Sequence, residues 1–244
     1  MTERLRLDLA LVKRGLVSSR QRAQSLIKDD KVLVNGFPAR KSGTQVEPGD
    51  NLVIRGEDIA FVSRGGLKLE AAIKQFSIRV ENKTCIDIGA STGGFTDCLL
   101  QHGASHVYAV DVGYGQLAWS LRTDPRVTVI ERTNIRHMEK TAIPLPVQMA
   151  VIDVSFISLK IVVPAALQFL QPNSQILALI KPQFEVGKGK VGKGGVVREN
   201  SLHRKVIDQL KLYFNQLGLN VKGVIPSPIL GPKGNREFVI CMIT

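Results

Sequence analysis

The chain has 244 residues, 44% of them hydrophobic, and its 33 Lys and Arg against 21 Asp and Glu give a formal charge of +12. That length and apolar content exclude a disordered chain and leave room for a large domain and a small one, while the positive charge points to a polyanionic partner, nucleic acid before an acidic membrane surface. No apolar stretch reaches the roughly 18 residues of a spanning helix, and the N-terminal MTERLRLDLALVKRG lacks the h-region and cleavage site of a signal peptide, so a cytoplasmic protein with no membrane partner is expected.

In chain order, Leu5, Leu9 and Val12 recur at helical spacing and mark a first helix. Ser18 or Ser19 caps a second, which carries Ala23, Leu26 and Ile27 on its apolar face. Val32–Val34 reads as a strand entering the Asn35-Gly36 turn, and Pro48-Gly49-Asp50 turns the chain into a further strand, Leu52–Ile54. The first 41 residues hold ten Lys and Arg against four Asp and Glu. Arg20, Gln24 and Lys28 share one face of the second helix, and with Lys13, Arg14 and Arg22 they give a surface able to grip phosphate oxygens without reading sequence. An ordinary solvated helix face is the alternative. The reading places a small α+β unit at residues 1–58 and an α/β body at 59–244.

The body opens with a helix over Leu67–Phe76. Five apolar runs follow, each ending in a polar residue: Cys85–Asp87, His106–Asp111, Val127–Asn134, Gln148–Asp153 and Gln175–Lys181. Such runs read as parallel strands buried on both faces, polar only where they emerge. Asp87, Asp111, Asn134, Asp153 and Lys181 then share one rim, the edge at which doubly wound sheets bind ligands. A last helix, capped by Asn200 or Ser201, carries Val206, Ile207, Leu210 and Phe214 and stops at Gly218. The strands Asn220–Ile225 and Glu237–Met242 end the chain; if the final one is antiparallel to its neighbour, Glu237 joins the rim.

The first rim strand runs into Gly89-Ala90-Ser91-Thr92-Gly93-Gly94-Phe95 at the start of a helix. Glycines there let backbone pass close to a ligand beside free N–H groups. Asp111, 22 residues after Gly89, lies where a carboxylate can accept from ribose hydroxyls. Asp87 and Asp111 together would repel a pyrophosphate, which favours a nucleoside cofactor with a cationic end; S-adenosylmethionine fits. Asn134 could bond the adenine, with a simple turn residue as the alternative.

Gly187-x-x-x-x-Gly192-Lys193 imitates a phosphate-binding loop but has Gly194 in place of the magnesium-holding Ser or Thr. Lys188, Lys190 and Lys193 instead suggest a basic lid over a nucleic-acid backbone. Cys85, Cys98 and Cys241 suit reduced core thiols, and Cys98, His102 and His106 are set aside as a metal site because Gly103 ends the helix between the histidines. No metal is expected.

A lysine closing the apolar run before Pro182 needs an acid nearby, and Asp153 supplies one. With Glu237 and with Lys68 from the first body helix, it forms a set of two lysines and two carboxylates suited to deprotonating a weak acid such as a ribose 2′-hydroxyl. A structural ion-pair network is the alternative. Tyr114, Trp119 and Phe184 could stack on an extruded nucleotide or belong to the core.

Two resemblances sharpen these expectations. Arg6-Leu7-Asp8, Gly15, Ser19-Arg20, Ala23, Leu26-Ile27 and Val32-x-Val34-Asn35-Gly36 resemble the S4 RNA-binding domain. Ser63-Arg64-Gly65-Gly66-Leu67-Lys68-Leu69, Asp87-Ile88-Gly89-Ala90-Ser91-Thr92-Gly93-Gly94-Phe95, Val110-Asp111-Val112-Gly113-Tyr114-Gly115, Asp153-Val154-Ser155-Phe156 and Ile180-Lys181-Pro182-Gln183-Phe184-Glu185 resemble the TlyA family, often labelled haemolysin A, with an S4 domain fused to an FtsJ-like methyltransferase domain. The resemblance implies a doubly wound, mostly parallel Rossmann-like methyltransferase sheet behind a small α+β S4-like domain. It also implies S-adenosylmethionine-dependent ribose 2′-O-methylation of ribosomal RNA, alone or in ribosomal subunits, by a Lys-Asp-Lys-Glu tetrad at Lys68, Asp153, Lys181 and Glu237. A non-catalytic ribosome-assembly protein and a membrane-active cytolysin are the competing readings, and the oligomeric state stays open.

Overall fold

The computed structural model describes residues 4–17, 19–28, 30–55, 60–187, 189 and 191–244, and the chain divides into two compact units, Met1–Ser63 and Arg64–Thr244. In the first unit, β1 (Leu5–Arg6) leads into α1 (Leu7–Lys13), followed by α2 (Arg20–Lys28), β2 (Val32–Val34), β3 (Phe37–Pro38), β4 (Gln45–Val46) and β5 (Leu52–Ile54). β2 is paired antiparallel with both β3 and β5, and β1 with β4. Ser19 Oγ accepts from Arg22 N at the start of α2, whose Ala23, Leu26 and Ile27 are buried as their spacing predicts.

The face of α1 differs from the expectation. Leu5 is drawn into β1 opposite Val46, so the buried stripe starts at Leu7 and continues through Ala10 and Leu11, leaving Leu9 and Val12 exposed. An i, i+3, i+4 stripe moves with the first helical residue, and pairing across the unit set that residue.

The second unit is built on a seven-stranded sheet in the order β11-β12-β10-β9-β6-β7-β8. Its elements run α3 (Gly65–Gln75), β6 (Thr84–Ile88), α4 (Gly94–Gln101), β7 (His106–Val110), α5 (Trp119–Arg122), β8 (Val127–Ile130), β9 (Val147–Ile152), α6 (Leu159–Leu167), β10 (Leu170–Ile180), α7 (Pro182–Glu185), α8 (Asn200–Gln216), β11 (Asn220–Pro226) and β12 (Phe238–Ile243). β10, β9, β6, β7 and β8 are parallel, and β12 is antiparallel to both β10 and β11. The α/β, doubly wound, mostly parallel sheet expected from the apolar runs is the observed one. Chain order reverses between β6 and β9, which opens the crevice used by ligands in such sheets.

Three boundaries are corrected. Asp87 lies inside β6 and is fully buried, one layer below the rim. The third run stops at Ile130, and Asn134 instead caps a 3-10 turn at Ile135–His137 by accepting from Arg136 N. The residue preceding α8 is Glu199, whose side chain makes no capping hydrogen bond; Ser201 Oγ turns to Glu199 Oε2. All three cysteines are buried and free. Gly103, at φ 85°, turns the chain after α4, and His106 Nε2 bonds Thr128 Oγ1 at 2.8 Å, apart from the Cys98–His102 contact. Among the described residues no helix is long and apolar enough to cross a membrane.

Candidate active site

A cavity of about 470 Å³ opens at the crevice, lined by the last residues of β6 and β7, the residues following β6, β7 and β9, and Gln116, Thr133, Asn134, Ile135 and Val162. Its floor is the glycine turn after β6. Gly89 has φ 87°, and an added Cβ would stand 2.5 Å from the Asp153 carbonyl oxygen, so only glycine lets this turn lie against the end of β9. Gly93, at φ 95°, is closed in the same way by Leu121 and Leu117. Ala90, Gly94 and Phe95 are buried and hold the turn to the core, whereas Ser91 and Thr92 face outward, Ser91 at φ 49°.

Charge in the cavity is one-sided: Asp111 and Asp153 line it, with no lysine or arginine among the described lining residues. Asp111 accepts from Ser91 N at 2.7 Å and Gly113 N at 2.6 Å, which fixes its carboxylate at the mouth with lone pairs to spare. Beneath, Asp87 takes Thr96 Oγ1 on one oxygen at 2.7 Å and leaves the other buried without a hydrogen-bond partner among the described residues. Burial foremost, opposed by the Thr96 hydrogen bond and aided by the charges of Asp153 and Asp111, pushes its pKa up to about 7. A buried, under-bonded acid below two cavity carboxylates suits a ligand with a nucleoside and a positive end, so the donor set fits S-adenosylmethionine. Asp111→Ala is expected to weaken S-adenosylmethionine binding roughly tenfold in calorimetry by removing a carboxylate from the cavity mouth.

From Asp153, which lines the cavity, outward, the four proposed catalytic side chains form two ion pairs. Lys181, just past β10, places Nζ 2.6 Å from Asp153 Oδ1 and donates to Ser155 Oγ at 2.9 Å. Lys68, on α3, donates to Glu237 Oε2 at 2.6 Å, and both are buried. The antiparallel register Ile180↔Phe238 sets Glu237 beside Lys181 at the sheet rim. Glu237 Oε1 is buried with no hydrogen-bond partner among the described residues, and an added Cβ on Gly231 would collide with it. Gly231→Ala is therefore expected to cost roughly 2 kcal/mol, read from the denaturation midpoint, because the displaced Glu237 leaves Lys68 an unpaired buried cation.

Thr133 lies in no motif, and Gln116, Ser155 and Phe156 lie in or beside segments that carry the family resemblance without a role of their own. Phe156 is 89% exposed at φ 65°, tilted against Phe184 with centroids 5.0 Å apart. Glu185 accepts from Ser158 Oγ at 2.7 Å and Leu159 N at 2.8 Å, tying the segment after β9 to α7. Tyr114 and Trp119 are exposed, with Arg132 stacked 4.1 Å over the Tyr114 ring.

The basic surface of the first unit divides. Arg14 spends its guanidinium on the carbonyls of Asp50, Glu47 and Pro48, and Arg20 donates to Asp8, so both serve the unit's own architecture. Lys13 and Lys28 are exposed, and Arg22 is partly so. Lys188, Lys190 and the side chain of Lys193 lie outside the described residues. Among the described residues no cluster of three or more His, Cys, Asp or Glu is arranged to hold a metal.

Comparison with known proteins agrees with this geometry. The FtsJ-like methyltransferase family matches residues 61–244, and the S4 domain matches residues 5–52. The 16S/23S rRNA (cytidine-2′-O)-methyltransferase TlyA of Mycobacterium tuberculosis is 48% identical over 245 residues, covering 100% of this chain and 91% of the relative. A solved Streptococcus thermophilus protein named provisionally as a hemolysin superposes with TM-score 0.79 at 43% identity, covering 100% of this chain and 90% of the other. An S-adenosylmethionine-dependent methyltransferase from Mesorhizobium loti shares the sheet alone, with TM-score 0.52 at 12% identity, over 71% of this chain and 96% of that one.

Proposed function

The chain belongs to the FtsJ-like methyltransferase family and carries an S4 domain in front; from that premise we propose that it methylates the ribose 2′-oxygen of ribosomal RNA through Lys68, Asp153, Lys181 and Glu237. It is an S-adenosylmethionine-dependent enzyme. The observation that carries the ribose assignment is the position of Lys181, whose Nζ is held by Asp153 and Ser155, both of which line the cavity.

When bound, S-adenosylmethionine supplies a methyl group activated by its sulfonium. Asp111 and the turn at Gly89–Gly94 would hold the nucleoside portion, Asn134 would meet the adenine, and Asp87 would face the charged end through the turn. Nζ of Lys181 would accept the 2′-hydroxyl proton as the ribose oxygen bonds the methyl carbon and that carbon's bond to sulfur breaks, the sulfur leaving as the neutral thioether. Asp153 and Ser155 fix that nitrogen, and the buried Lys68–Glu237 pair fixes the rim beside it, so positioning supplies much of the rate. Phe156 and Phe184 form an aromatic surface on which the target base can stack.

Recognition falls to the S4 domain, through Lys13, Arg20, Arg22 and Lys28, and to the Gly- and Lys-rich segment containing Lys188, Lys190 and Lys193. Such contacts track backbone and shape more than base identity, as suits a folded RNA or a ribosomal subunit. This reading places the protein in the cytoplasm, where ribosomes are found.

The test is transfer of labelled methyl from S-adenosylmethionine to purified ribosomal subunits and to naked ribosomal RNA. Incorporation into at least one of them is expected. A folded, cofactor-binding protein that labels none would be an RNA-binding protein without turnover.

A further inference from the structure

An apolar face joins α1 to α2, yet an acid sits within it. Asp8, in the first turn of α1, is fully buried. Its Oδ1 accepts from Arg6 Nε at 3.0 Å and Leu9 N at 3.1 Å. Its Oδ2 accepts from Arg20 Nε at 2.9 Å, Gln24 Nε2 at 2.9 Å and a terminal nitrogen of Arg6 at 3.1 Å. Foremost the hydrogen bond from Arg6, then those of Gln24 and Arg20, hold this carboxyl well below the usual carboxylate range despite its burial.

A hydrophobic residue could join two helices at lower desolvation cost, so the acid contributes something other than packing. What it contributes is orientation. Both arginines turn Nε inward, and neither terminal nitrogen of Arg20 has a partner among the described residues. The two side chains remain 42% and 53% exposed, for Arg6 and Arg20 respectively. Arg6 lies beside Gly43, where an added Cβ would stand 3.2 Å from its other terminal nitrogen. A guanidinium anchored along its Nε edge presents its outer edge in fixed geometry, the arrangement that matches phosphate oxygens. Two cations around one anion leave a local surplus of positive charge.

We infer that Asp8 is a positioning residue that holds Arg6 and Arg20 as a preformed fork for a backbone phosphate of RNA. This rests on the RNA-binding reading of the S4 domain given above. Arg20 thereby keeps its place on the RNA surface through the same contact that ties it to the fold, and Arg6 joins it.

Asp8→Asn separates orientation from bulk charge. Removing an acid makes the unit more positive, so a diffuse electrostatic surface would bind RNA more tightly, whereas a disassembled fork binds it less well. In titrations of the full chain with purified ribosomal RNA over a salt series, Asp8→Asn is expected to lower affinity roughly tenfold. The slope of log K against log salt should fall by about one, the loss of one phosphate contact. A thermal melt establishes that the variant is folded at the titration temperature. Should it not be, Arg6→Lys and Arg20→Lys carry the test. Each keeps the charge and loses the Nε anchor, so each should lower affinity several-fold, and their combination should fall short of the product of the two effects. Unchanged or tighter RNA binding by Asp8→Asn, or lysine variants equal to wild type, would overturn the fork and leave the methyl-transfer reading standing. A wild-type chain that binds no RNA at all would remove both.

Discussion

Lys181→Ala is expected to lower kcat for methyl transfer about 10³-fold while S-adenosylmethionine affinity stays within about twofold of wild type. The asymmetry follows from placement. Lys181 contacts Asp153 Oδ1 at 2.6 Å and Ser155 Oγ at 2.9 Å but is absent from the cavity lining, which comes from the glycine turn, Asp111 and the segment after β9. Removing Nζ takes away the proton acceptor and leaves the cofactor's contacts in place. Lys68→Ala should behave differently, because it strands the buried Glu237 carboxylate and so lowers stability as well as rate. Single-turnover rates beside calorimetric affinities distinguish the two. A Lys181→Ala enzyme with near-normal turnover would assign the base to another group.

Asp87→Asn is expected to do two opposed things: stabilise the unliganded protein by about 2 kcal/mol at pH 8 and weaken S-adenosylmethionine binding roughly tenfold. Burial, foremost, raises the Asp87 carboxyl from 3.8 to about 7. The folded protein therefore holds its proton more tightly than the unfolded chain does. Stability from this group is fully present below about pH 4 and is lost as pH rises through about 7. Wild-type stability should decline across that window, and the Asn variant should lack the decline. A cationic ligand favours the ionised carboxylate, so S-adenosylmethionine affinity of the wild type should rise with pH up to about 7 and binding below it should release a proton. Chemical denaturation at several pH values reads the first effect, and calorimetry in buffers of differing ionisation enthalpy reads the second. A wild-type stability curve as flat as that of Asp87→Asn would show that the carboxyl titrates normally.

Legibility in the sequence tracked the range of the forces involved. The parallel strands could be read because burial on both faces writes a continuous apolar run, and the rim because that run must end in something polar. The turn at Gly89 could be read for a local reason, its need for positive φ. The glycine at 231 could not, since its role depends on a Glu237 carboxylate brought in by β12. Asp87 was assigned to the rim because a run and its last polar residue look alike whether that residue emerges or stays one layer inside. Only the Thr96 hydroxyl, delivered by α4, shows which. The pairing of Lys68 with Glu237 spans 169 residues, and the sequence brings the two into one set with Lys181 and Asp153 without pairing them with each other. Asp8 stands in the sequence within the Arg6-Leu7-Asp8 motif of the S4 resemblance but carries no role there, because its burial appears only once α2 packs over it.

The most direct measurement is the chemical location of the transferred methyl. After labelling ribosomal RNA with the wild-type enzyme, exhaustive alkaline hydrolysis cuts every phosphodiester whose ribose has a free 2′-hydroxyl. A 2′-O-methyl group removes that nucleophile, so the account predicts label in alkali-resistant dinucleotides, absent when Lys181→Ala is used. Label released in mononucleotides would place the methyl on a base and contradict the proposed chemistry of the lysines.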